Sequence, residues 1–131
     1  MKHEELLIKT FIHPNRQERF LALLAKPNHR AKLTGLLAHR VELDSRYATR
    51  LPSDRQKVGD IEQLLRSAGA PSTCYLVSED SQLDQQELPL SEALHAVVGR
   101  GIGSFVSCVP GKLAYFEGED AGERYILRAA T

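Results

Sequence analysis

The sequence predicts an α+β fold, with N-terminal helices packed on a sheet of about four strands and a C-terminal three-stranded antiparallel meander. Three observations lead there. Apolar residues recur at helical spacing up to Leu65, and strand-like runs separated by turn residues dominate after Pro71. The chain has 131 residues, of which 42% are hydrophobic, enough to bury a core without disulfides or metals. It reads as a single domain, 1–131, helical to about 70 and mainly β beyond.

Residues 4–12 fit a short helix or a strand equally, and Pro14 ends the segment by pushing His13 out of the α region. Asn15 then reads as an N-cap with Glu18 in capping-box position. The helix it opens puts Phe20, Leu23 and Leu24 on one face and stops near Ala25, before Pro27. A second helix over 28–41 carries Leu33, Leu36, Leu37 and Val41, so the two form a helical hairpin. RYATRL (46–51) reads as a short strand. Ser53 or Asp54 caps a helix over 54–68 with the stripe Val58, Ile61, Leu65, Ala68, and Gly69 stops it.

TCYLV (73–77) is a strand, and an acidic loop over 79–88 follows it. Leu90, Leu94 and Val97 mark a helix over 90–98. A glycine link, 99–103, leads to strand 104–109; Pro110-Gly111 turns the chain into strand 112–117; residues 118–122 turn it into strand 123–128. If strands 73–77 and 104–109 are parallel, helix 90–98 is a right-handed crossover. The expected core is Phe20, Leu24, Leu33, Leu37, Val58, Ile61, Leu65, Leu76, Leu94, Val106, Leu113, Tyr115, Ile126 and Leu127.

The formal net charge is zero. It is unevenly spread: residues 1–60 hold 12 Lys/Arg and 7 Asp/Glu, a net of +5, and residues 61–131 hold 5 and 10, a net of −5. Such asymmetry points to an acidic partner for the basic half, or to the halves facing one another within a molecule or across a homodimer. Arg16, Arg19, Arg30 and Lys32 are the partner-binding candidates, on the hairpin 15–41 where Glu18 is the only acid. A helix-turn-helix reading would set His29, Arg30, Lys32 and Thr34 near the start of the second helix, but a pI near 7 argues against nucleic acid. The plain alternative is a solvated basic face.

Four further residues are candidates for holding a ligand. Arg40 falls about 20° from Leu33 on the second helix, inside the apolar stripe, and needs an acid such as Asp44 or a ligand anion. Arg100 sits in GRGIG, whose backbone N–H groups suit an anion. The order helix–glycines–strand, however, is the reverse of a phosphate loop and fits a helix C-cap. His95 lies off the apolar stripe of its helix and reads first as a surface histidine. Cys108, like Cys74, sits in an apolar strand and reads first as a buried thiol; paired with His95 it is the thiol-enzyme alternative.

No metal site is expected, since no His/Cys spacing matches zinc and the acidic loop lacks the EF-hand pattern. Serine-elbow, metalloprotease and Walker motifs are missing, so no cofactor is expected and the balance leans away from catalysis without closing it. With no long apolar run and no secretory leader, the chain reads as cytoplasmic and not membrane-bound. The sequence therefore favours a small non-catalytic binding module whose basic helical face meets an acidic protein or nucleic acid. The alternative is a small enzyme or anionic-ligand binder near the 99–103 link.

Overall fold

In the computed structural model, which describes residues 2–39, 42–120 and 122–129, helices flank both faces of one antiparallel sheet. The described helices are α1 (Lys2–Phe11), α2 (Gln17–Leu24), α3 (Arg30–Leu37), α4 (Val58–Ser67) and α5 (Leu90–Val97). The strands are β1 (Ala48–Arg50), β2 (Thr73–Ser78), β3 (Glu87–Pro89), β4 (Ser104–Val109), β5 (Leu113–Glu117) and β6 (Arg124–Arg128), in the order β1-β6-β5-β4-β2-β3. The class is α+β, and the described sheet has six strands where about four were expected. Both edges are three-residue strands: β1 falls within the expected short strand 46–51, β3 overlaps the end of the expected acidic loop, and β3 ends in a proline that blunts the edge.

The sheet is buried on both sides, which explains its uninterrupted apolar strands. Tyr75, Val77, Phe105, Ala114, Phe116 and Leu127 pack under α1–α3. Cys74, Leu76, Val106, Cys108, Leu113 and Tyr115 pack under α4 and α5. Helix α4 therefore leaves the other N-terminal helices and crosses to the opposite face. Each fully buried Leu, Ile or Phe on these faces contributes roughly 1.5–3 kcal/mol, so neither layer is dispensable. Helix α1 supplies Leu7, Ile8 and Phe11 to the core, with Ile12 just beyond it, and this burial decides helix over strand for residues 4–12.

The meander over 104–128 forms as β4-β5-β6. Gly111, at φ 69°, completes the Pro110-Gly111 turn with a Lys112 N–H to Val109 carbonyl bond of 2.9 Å. Strands β2 and β4 are antiparallel, so no parallel crossover joins them. Both β3 and β4 run antiparallel to β2, hence parallel to each other, and α5 links these two across β2. The crossover strand is Glu87–Pro89, hidden in the acidic stretch.

Helix starts differ from expectation. His13, not Asn15, caps the first turn: its Nδ1 accepts the Asn15 N–H at 3.2 Å, and Pro14–Arg16 is a 3₁₀ turn. Likewise Ser53–Arg55 is a 3₁₀ turn, and α4 begins only after Lys57. Helix α3 ends at Leu37 rather than 41. The chain leaves the helix there to pair with the end of α1, through His13 N–H to Glu42 carbonyl (2.8 Å) and Asp44 N–H to Phe11 carbonyl (2.7 Å).

Candidate functional site

The basic hairpin places its four candidate residues in different environments. Arg30, at the start of α3, is held inside the molecule. Its Nε and Nη2 donate to the two Asp84 oxygens at 2.7 and 2.8 Å, and Nη2 also donates to Glu4 Oε2 at 2.7 Å. The Tyr75 hydroxyl donates to the same Glu4 oxygen at 2.6 Å. Two nearly buried carboxylates thus enclose one guanidinium, in the fork geometry arginine favours. Desolvation opposes the Arg30 charge, but its hydrogen bonds to Asp84 and Glu4 outweigh it and hold its pKa above the ordinary value. Burial, then the Glu4 contact, pushes the Tyr75 hydroxyl up. Stacked on Tyr75 is His3, whose Nδ1 lies 2.7 Å from Ser107 Oγ. Burial lowers the His3 pKa, against the pull of Glu87 and Glu4.

Arg16 lies 3.1 Å from Glu42, yet neither its Nε nor Glu42 Oε2 finds a hydrogen bond, so this is charge proximity with poor geometry. Arg19 and Lys32 are exposed, as is Lys26 between the two helices. None of the three has an ion-pair partner among the described residues. Arg40 lies outside the described residues. Asp44, its expected partner, is engaged by Arg46 at 2.7 Å, and this contact holds the Asp44 carboxyl below its ordinary range.

The glycine link does cradle an anion, and that anion is the protein's own. Gly99 N–H and Gly101 N–H donate to the two oxygens of Glu117, each at 3.0 Å. Tyr115 hydroxyl donates to Glu117 Oε1 at 2.7 Å, and Arg124 Nε stands 3.5 Å from it. Glu117 is buried, so these groups supply what water would otherwise give the carboxylate. Positive φ at Gly99 (83°) and Gly101 (67°) aims both amides at it.

Arg100 is exposed beside this nest, outside the Glu117 contacts. His95 is exposed on α5, its Nδ1 2.8 Å from the Ser91 carbonyl oxygen. Cys108 is buried in β4, and burial pushes its thiol to about 12, the same value as Cys74. Such a thiol stays protonated and is a poor nucleophile at neutral pH. The structure gives no contact that unites Arg100, His95 and Cys108. Among the described residues, no group of three or more His, Cys, Asp or Glu is placed to hold a metal ion, and no helix is long and apolar enough to cross a membrane.

The side chains with the most organised surroundings, Glu4, Asp84 and Glu117, escaped the sequence reading. Two carried a signal. Glu4 shares the i, i+3, i+4, i+7 stripe of Leu7, Ile8 and Phe11, and Glu117 follows Leu113 and Tyr115 at alternate positions of a buried strand. An acid on an apolar face must find a donor. Asp84 carried no such signal.

Against protein-family models, curated proteins and solved structures, the chain has no significant match.

Proposed function

We propose that the protein is a non-catalytic binding module that meets an acidic protein surface through exposed cations of the α2–α3 hairpin. The carrying observation is that Arg19, Lys26 and Lys32 reach solvent without a carboxylate partner among the described residues. Of the groups a catalytic reading would recruit, the Cys108 thiol is held protonated by burial. An acidic protein fits better than nucleic acid. Arg30, which a helix-turn-helix mode needs at the start of its second helix, is enclosed by Asp84 and Glu4. A zero net charge also gives no long-range attraction to a phosphate backbone.

The test uses a fluorescent polyglutamate peptide and anisotropy. The chain should bind it at about 10 mM salt, where the Debye length is about 30 Å, and release it near 150 mM, where it is about 8 Å. The triple variant Arg19→Ser, Lys26→Ser, Lys32→Ser should lose binding while keeping its unfolding midpoint. Unchanged binding by that variant, or no binding at low salt, overturns the reading.

A further inference from the structure

Helix α4 stops at Ser67, where Gly69 takes φ 104°, and leaves one corner of its sheet face open. The corner is a groove of about 600 Å³, walled by Ala68 and floored by Thr49, Val109 and Leu113. That size lies within the roughly 300–1,000 Å³ typical of small-molecule sites. Lys112, Arg128 and Ala129 complete the lining, and no carboxylate lines it among the described residues. Lys112 and Arg128 are two of only five Lys/Arg in residues 61–131, a stretch of net charge −5. Both are exposed, and neither has an ion-pair partner among the described residues.

Their closeness follows from the strand register. Arg128 pairs with Leu113, and Ala129 N–H bonds the Lys112 carbonyl at 3.0 Å, so the register sets the turn before β5 beside the end of β6 and brings both residues to the groove. The C-terminal end of α4 brings about half a negative charge to the wall; two full cations outweigh it. The groove thus combines an apolar floor with a cationic rim.

From this we infer that the groove binds a small amphipathic anion: one carboxylate or phosphate monoester head between Lys112 and Arg128, and an apolar body over Val109 and Leu113. The site is separate from the hairpin surface, so either reading can fail without the other.

The experiment titrates isotope-labelled protein with decanoate, decyl phosphate, decanol, decylammonium and inorganic phosphate, following amide resonances. Decanoate or decyl phosphate should shift Thr49, Lys112, Leu113 and Arg128, and the tighter of the two identifies the head group. Decanol and inorganic phosphate, each lacking one half of the ligand, should bind at least about tenfold more weakly. Decylammonium should leave those resonances unmoved. The double variant Lys112→Gln, Arg128→Gln should weaken decanoate by about tenfold or more. Ala68→Leu, which keeps both charges and fills the groove, should weaken it as well. Scattered or absent shifts, equal binding of decylammonium, or unchanged affinity in both variants overturns the inference.

Discussion

Replacing Arg30 with methionine should destabilise the protein more than any exposed cation of the same hairpin would. The change keeps an unbranched chain and removes the guanidinium, leaving Glu4 and Asp84 facing each other, with side chains only 5% and 8% exposed. Breaking a buried pair in this way costs about 3–5 kcal/mol. The Arg30 side chain is itself 22% exposed, so water reaches the site and the lower end, about 3 kcal/mol, is expected. For a chain of 131 residues that lowers the thermal midpoint by about 10–15 °C. Urea unfolding should show a lower midpoint at unchanged slope, the sign of lost stability rather than an altered denatured state. Asp84→Asn removes the charge but keeps Oδ1, which also accepts the Ser78 N–H at 3.0 Å. In the Arg30→Met, Asp84→Asn double variant the losses should fall short of their sum by about 1–3 kcal/mol. The Lys9–Glu5 pair is just as short, 2.7 Å, but its side chains are 49% and 51% exposed. Lys9→Ala should leave the midpoint where it is, because burial rather than distance sets the energy. An Arg30→Met loss under about 1 kcal/mol, or strict additivity in the cycle, would refute the account of this cluster as a buried clamp.

Glu117→Ala should empty the glycine cradle, orphan the Gly99 and Gly101 amides and cost about 3 kcal/mol or more. Formate should then raise the variant's thermal midpoint more than the wild type's, by mass action on the vacated nest; equal shifts would count against the cradle. Burial holds Cys74 and Cys108 near 12, against an ordinary value of 9.0, so the unfolded chain loses thiol protons first as pH rises. Stability should therefore fall between those two pH values, by up to about 1.4 kcal/mol per pH unit per thiol, and the Cys74→Ala, Cys108→Ala variant should show a shallower fall in its urea midpoints. Gly103→Ala should cost about 1–3 kcal/mol, because the new methyl overlaps Ala38 Cβ and lies 2.6 Å from its Cα; Ala38→Gly in the same chain should return part of the loss, and a neutral Gly103→Ala would mean α3 yields easily.

Local signals in the sequence were legible where one residue settles one element. Gly69 and Gly99 end helices at positive φ, and Pro110-Gly111 turns the chain. Of the expected core, eleven side chains are buried, while Leu24, Val58 and Ile126 pack partly buried against it. Layering was not legible, because it depends on which face of the sheet each helix chooses. Tyr75, Phe105 and Phe116 belong to the face opposite Leu76, Val106 and Tyr115, and a strand covered on both sides shows no alternation to count. Edge strand β3 is not legible in the sequence because three residues with a glutamate and a proline carry almost no strand signal. The Glu117 nest was half legible: the glycines suggested an anion, and nothing local showed that a strand 16 positions beyond Gly101 would deliver it.

The charge asymmetry has two physical fates. Part of it is structural: Arg30–Asp84 ties the basic hairpin to the acidic stretch, a long-range contact that fixes α3 against the loop after β2. Other pairs stay within one half, as in Arg16–Glu42, Arg46–Asp44, Arg66–Glu62 and Arg124–Glu117, and leave that half's net charge unchanged. Pairs of this second kind do not discharge the +5 of residues 1–60. Because the whole chain is neutral, a partner beyond a Debye length of about 8 Å feels little net pull. Closer in, it feels the separated charge. Such a field orients an arriving surface more than it attracts one, so substitutions at the exposed Arg19, Lys26 and Lys32 should act on how fast the proposed complex forms and on its salt dependence.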